Sequence, residues 1–293
     1  MRMLPMLKAR LRSGLLMGAA LLAAAFLVPP WGVWLIVAGV AALGIREFYG
    51  LLEAAQIPSF KVVGAIAAFA LLTGVMLAHG YPDTEHRLDG ETFALFAALA
   101  AVFARMLFQR NNPRPLETMA GTLMGVLYVG FLSCFLLRLA LAWGLREGRW
   151  LLIYLIVVVK MSDIGAYFVG CRFGRHKLLP RISPSKSWEG LAGGLVFAMA
   201  ASFSLFFLFD GRFGPLQVNA ADAAILGGLL TAFGVFGDLM ESLLKRAAGV
   251  KDSGTIIEGM GGILDVIDSL LPAAPALYFY ARLFLDPAGP LSP

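Results

Sequence analysis

The stretch Leu151-Leu-Ile-Tyr-Leu-Ile-Val-Val-Val-Lys160-Met-Ser162-Asp163-Ile-Gly-Ala-Tyr167-Phe-Val-Gly170 decides the fold. Twenty residues wound as an α-helix cover ~30 Å, the thickness of a bilayer's hydrocarbon core. Only Lys160 and Asp163 carry charge in this run. Outward from it, similar runs lie at roughly 14–28, 31–46, 60–79, 91–108, 118–143, 188–209, 222–246 and 260–285. In lipid each segment must satisfy its own backbone hydrogen bonds. The pattern therefore predicts an all-α, polytopic integral membrane protein with about nine transmembrane helices. The first two runs are short and joined by Val28-Pro29-Pro30-Trp31, so a re-entrant hairpin is the alternative there.

Composition agrees with this reading. Of 293 residues, 59% are hydrophobic and only 15% charged, against roughly 25% charged in a soluble protein. No segment is polar enough to clothe a water-soluble core, so residues 1–293 are read as one membrane domain. Residues 1–150 are mainly scaffold spans, and 151–285 hold the catalytic spans and cytoplasmic loops. Two cysteines, Cys134 and Cys171, exclude a disulfide scaffold. His79, His86 and His176 are too few and too scattered for a zinc site. A net charge of +5 is modest, and nucleic acid is not expected as a partner.

Where the cations sit is more informative. The N-terminal stretch, with Lys8, Arg10 and Arg12 before Leu15–Val28, resembles a signal peptide, but the next apolar run follows almost at once, and a retained anchor is the reading. With a cytoplasmic N-terminus and about nine spans, about 17 of the 24 Lys and Arg residues fall on the cytoplasmic side and about six opposite. The C-terminus then lies on the opposite side, and the basic loops near 171–187 and 247–259 face the cytoplasm.

Ionisable groups inside apolar runs are costly in lipid and mark candidate sites. Gly237-Asp238-Leu-Met-Glu241-Ser242-Leu-Leu-Lys245-Arg246 places 238, 241, 242 and 245 on one helix face. A carboxylate and hydroxyl followed by Lys-Arg suit a hard divalent ion beside phosphates. Asp222, at the far end of the same helix, is read as uninvolved. Downstream, Lys251-Asp252-Ser-Gly254 forms a polar loop ahead of Glu258-Gly259-Met260-Gly261-Gly262-Ile-Leu-Asp265-Val266-Ile-Asp268. Its glycines would let an anionic ligand approach backbone N–H groups at a helix start, with Asp265 and Asp268 on that helix's first face. Upstream, Lys160 and Asp163 can pair on one helix face. A basic loop through Ser183 and Lys186 ends at Ser187-Trp188-Glu189, a helix start.

These segments resemble the phosphatidate cytidylyltransferases, or CDP-diacylglycerol synthases. The family pattern of Ser, two residues, Lys-Arg, four residues, Lys-Asp, a glycine-rich Pro-Gly-His-Gly-Gly and Asp-Arg-x-Asp has its counterparts here. They are Ser242, Lys245-Arg246, Lys251-Asp252, Gly259, Gly261-Gly262, Asp265 and Asp268. Ser162-Asp163-Ile-Gly-Ala-Tyr167 and Ile182-Ser-Pro-Ser-Lys186-Ser-Trp-Glu-Gly190 also look like family segments. The sequence departs from the pattern at Glu258, Met260 and Val266, where the family has Pro, His and Arg.

The resemblance implies a magnesium-dependent nucleotidyltransferase of phospholipid biosynthesis that condenses CTP with phosphatidic acid to CDP-diacylglycerol and pyrophosphate. It implies active-site roles for Asp238, Ser242, Lys245, Asp265 and Asp268, with Mg2+ at Asp238, Ser242 and Asp265 and a second cation left open. Substrate contacts fall to Asp163, Ser183, Lys186, Trp188, Glu189, Arg246, Lys251, Asp252, Gly261 and Gly262. The alternatives are a CTP-dependent kinase of polyprenol or diacylglycerol, a non-catalytic lipid-binding relative and, more remotely, a transporter. A homodimer is left open.

Overall fold

The computed structural model describes residues 28–80, 90–144, 148–254 and 261–286. Among these, seven apolar helical segments are long enough to cross a membrane. They are α1 (Pro30–Ala54), α2 (Lys61–Gly80), α3 (Gly90–Leu107), a rod made of α4 (Pro115–Gly125), a π-helical stretch Val126–Phe131 and α5 (Leu132–Leu141), then α6 (Gly148–Phe173), α7 (Trp188–Leu208) and α8 (Ala220–Ala247). The chain is an integral membrane protein. The first expected run, 14–28, lies almost wholly outside the described residues.

The last expected run, 260–285, is not one rod. It is broken into α9 (Leu264–Ile267), a turn at Asp268-Ser269, α10 (Leu270–Tyr280) and a π-helical stretch, Ala281–Leu285. Pro272 explains the break: it has no N–H to bond the Asp268 carbonyl, and its ring would clash with that oxygen in a continuous helix. The helix instead restarts at Leu270, which puts Pro272 in a first turn where its missing N–H costs nothing. Asp265 and Asp268 thus lie on separate elements rather than on one helix face.

Helix α1 also runs further than the hydropathy pattern suggested. Arg46-Glu47 looks like the end of a span, yet Ile45, Phe48, Tyr49 and Leu52 continue at helical spacing and are all buried. The helix therefore passes through Glu47 to Ala54, and at 25 residues α1 is too long for half of a re-entrant hairpin. Two small antiparallel hairpins join the helices. β1 (Lys177–Leu179) pairs with β2 (Ser183–Ser187) with an irregular register, and β3 (Arg212–Phe213) pairs with β4 (Leu216–Gln217).

The chain divides into two compact units, with cuts inside α5, at the end of α8 and inside α9. The described residues up to Leu137 and from Ala248 to Val266 form one; those of Arg138–Ala247 and from Ile267 onward form the other. In the first, the Tyr49 hydroxyl donates to the Thr122 carbonyl at 2.8 Å and ties α1 to α4. In the second, α6 and α7 meet along small residues. A Cβ on Gly165 would sit 2.6 Å from Phe197 and 2.7 Å from the Gly193 carbonyl, so the two helices touch nearly backbone to backbone. Tyr154 donates to Ser202 and Ser202 to the Ala223 carbonyl, which links α6, α7 and α8 through buried groups.

Candidate active site

Helix α8 carries the stripe expected of it. The Ser242 hydroxyl lies 3.4 Å from an Asp238 oxygen, one turn apart. Glu241, completely buried, holds the Lys245 ammonium at 2.6 Å, again one turn apart. Gly237 lets α10 come close, since a Cβ there would collide with the Asp268 carbonyl and the Pro272 ring. That contact seats the Asp268 turn against the polar end of α8.

The hairpin β1–β2 brings a second set of charges to the same helix. Lys186 of β2 reaches Asp238 at 2.7 Å, and Arg246 donates to the Ile182 carbonyl at 3.3 Å. Ser187 caps α7 by accepting from the Gly190 N–H at 3.1 Å. Glu189 turns back to accept from the backbone N–H groups of Arg175 and His176 and from the His176 ring. Glu189, expected to meet substrate, is thus engaged in fixing the root of the hairpin. Ser183 is buried, while Trp188 is largely exposed.

On α6, Lys160 pairs with Asp163 at 3.2 Å and also donates to the Ser269 hydroxyl at 3.1 Å. Asp268, almost fully buried, lies within electrostatic range of Asp238, Glu241, Lys160 and Asp163. Four carboxylates, Asp163, Asp238, Glu241 and Asp268, and three ammonium groups, Lys160, Lys186 and Lys245, therefore share one region of this unit. Asymmetric clusters of this kind are costly in lipid and are kept where charge must be handled.

Asp265 belongs to the other unit. One of its oxygens accepts from the Gly262 N–H at 2.7 Å, the Ser253 hydroxyl at 2.8 Å and the Ser253 N–H at 3.1 Å. The next two N–H groups, of Ile263 and Leu264, are taken by Glu47 of α1 at 3.0 and 2.8 Å. This overturns the expectation that glycines before the helix leave those N–H groups to an anionic ligand. Three successive amides are satisfied by two protein carboxylates, and one of these comes from the half read as scaffold. Gly261, at φ +95°, makes the turn that lets Asp265 fold back. Lys251 and Asp252 are exposed on the preceding loop. Glu258, Gly259 and Met260 lie outside the described residues.

Sequence reasoning missed Glu47 because a charged pair after an apolar run reads as a loop. The signal was the helical spacing of Phe48, Tyr49 and Leu52 beyond it.

With this geometry in place, similarity to known proteins decides the family. The cytidylyltransferase family profile matches residues 8–284. The chain is 35% identical over 291 residues to the phosphatidate cytidylyltransferase of Haemophilus influenzae, covering 94% of this chain and 99% of that one. It is 34% identical over 248 residues to the enzyme of that name from Bacillus subtilis, covering 84% and 88% respectively. It is also 31% identical over 284 residues to phosphatidate cytidylyltransferase 5, chloroplastic, of Arabidopsis thaliana, covering 86% and 67%. The chain belongs to the phosphatidate cytidylyltransferase family. A cytidylyltransferase that handles a lipid needs a membrane body and a charged region that can receive phosphates.

Proposed function

We propose that this protein condenses CTP with phosphatidic acid, forming CDP-diacylglycerol and releasing pyrophosphate, in the synthesis of membrane phospholipids. The observation that carries this reading is the Asp238–Ser242 oxygen pair on α8, flanked by Lys186 and Lys245. An anionic phosphate oxygen of phosphatidate attacks the α-phosphorus of CTP. The new bond is phosphorus to oxygen, and the bond to the β-phosphate breaks with its electron pair leaving on pyrophosphate. The nucleophile is already ionised, so the protein's task is positioning and charge neutralisation rather than proton removal.

Lys186 and Lys245 are held by carboxylates on α8, which aims both ammonium groups without long flexible searches. Arg246 and Lys251 add cations at the helix end and on the loop that follows. The resemblance gives magnesium to Asp238, Ser242 and Asp265; on α8 the Asp238 carboxylate and the Ser242 hydroxyl are hard oxygen donors and suit that ion. Among the described residues no three or more His, Cys, Asp or Glu side chains form a metal cage. Magnesium is typically held by one or two carboxylates with water and substrate phosphates completing its shell, so none is required. When bound, the ion would neutralise phosphate charge beside these ligands.

We also place the N-terminus and both basic loops in the cytoplasm, where CTP is found, and the C-terminus opposite. The activity is tested with protein purified in detergent, phosphatidic acid, magnesium and CTP labelled at the α-phosphorus. Label should appear on the lipid with one pyrophosphate per product. A lipid kinase would instead transfer a γ-label and release CDP, and that outcome would replace this reading.

A further inference from the structure

Glu47 is a buried carboxylate in the middle of the polar end of α1, far in sequence from every segment that resembles the family's signature. Its two oxygens each accept a backbone N–H, from Ile263 and Leu264, and Oε2 also lies 3.4 Å from the Ser253 hydroxyl. That hydroxyl has one proton and gives it to Asp265 at the shorter distance of 2.8 Å. Glu47 thus holds the backbone of 263–264, and Asp265 ties Ser253 to Gly262.

Two glycines beside these contacts, Gly254 and Gly262, match that arrangement. A Cβ on Gly262 would collide with the Glu47 carboxylate and stand 2.6 Å from the Ser253 hydroxyl. A Cβ on Gly254 would strike Glu47 as well. Both positions are open so that a carboxylate can reach the backbone. A buried carboxylate is expensive unless its lone pairs are met, and here two charge-assisted N–H bonds meet them.

We infer that Glu47 is a positioning residue of the transfer reaction, fixing the backbone from which Asp265 projects. It touches no substrate in this role and acts through Asp265. The inference rests on the proposed activity and on the part assigned to Asp265 within it. Glu47→Gln keeps the shape but turns one acceptor into a donor that faces a backbone N–H.

The expected result is a fall in kcat of at least about tenfold, with KM for phosphatidate changed less than about threefold. In the Asp265→Asn background the same change should cost less than about twofold, because the residue through which it acts is already disabled. Hydrogen exchange across 262–264 should speed up in Glu47→Gln. Full turnover in Glu47→Gln, or a full additional loss on top of Asp265→Asn, would overturn the inference.

If Glu47→Gln does not fold, Gly262→Ala puts the same question by pushing the carboxylate away. Pairing it with Glu47→Asp, one methylene shorter, should restore part of the lost turnover; no recovery counts against the contact. A wild type that makes no CDP-diacylglycerol, yet shows Glu47-dependent protection at 262–264, would remove the proposed activity and leave Glu47 a structural latch, which also sinks its catalytic role. A wild type that turns over, with Glu47→Gln equally fast, would sink this inference alone.

Discussion

Asp238 and Asp265 share a chemical type and differ in what surrounds them. Asp238, half-buried on a regular helix, faces a hydroxyl and an ammonium, whereas Asp265 accepts three protein hydrogen bonds. Asp238→Asn therefore isolates charge: it should lower turnover at least about 10²-fold, as loss of one preorganised electrostatic contact does, with little change in thermal stability. Asp265→Asn should lower turnover comparably and also loosen its loop, since an amide –NH2 can point at the Gly262 N–H; a lower melting temperature in that variant alone checks the distinction. Asp222, read as uninvolved in the chemistry, has a structural part. It exchanges hydrogen bonds with Asn219 at the start of α8 and accepts from the Tyr280 hydroxyl at 2.7 Å. Asp222→Asn should cost about 1 kcal/mol of stability as a damaged cap while leaving kcat unchanged. Asp210, exposed and at φ +50°, is the better control because Asn adopts that backbone readily.

At the scale of elements, much was legible because lipid imposes long apolar helices and a polar interruption stands out against them. The stripe on α8 and the Lys160–Asp163 pair follow from helical spacing alone, and both are present. What was not legible depended on groups distant in sequence. The N–H groups of 262–264 looked available because their partner, Glu47, lies more than 200 residues away. The basic stretch reads as a loop, yet it forms a hairpin tied by Glu189 to the backbone of 175–176. Neither strand is long enough to show an alternating pattern. The break at Asp268 was foreshadowed by Pro272, but an apolar run with a proline in it still reads as a span. Close packing of α6 on α7 makes its own demand: Gly165→Val should destabilise the protein by about 1–3 kcal/mol, as overpacking does. Thermal unfolding in detergent measures it, and an unchanged transition would mean that the two helices separate more easily than their contact suggests.

At the scale of the molecule, the distribution of charge gives each end of the bundle a side. Helix α7 has 21 residues and so spans about 30 Å, with the hairpin β1–β2 at its start and β3–β4 beyond its end. The first hairpin and its flanks carry Arg172, Arg175, Lys177, Arg181 and Lys186; the second carries Arg212 alone. Cationic loops are retained in the cytoplasm, so the two hairpins should lie on opposite sides of the membrane. Helix α8 then returns to the first side, where Arg246 meets the Ile182 carbonyl. Replacing exposed Cys171 by Ser leaves buried Cys134 as background, and single cysteines at Ser185 and at Gln217 then report each side. In intact cells an impermeant thiol reagent should modify Gln217→Cys and spare Ser185→Cys until the membrane is opened. The reverse pattern would invert the bundle and place the Lys186–Asp238 region away from the cytosolic pool of CTP. Equal labelling of both would mean that α7 does not cross the bilayer at all, despite a length and apolarity that leave its backbone no better place to be.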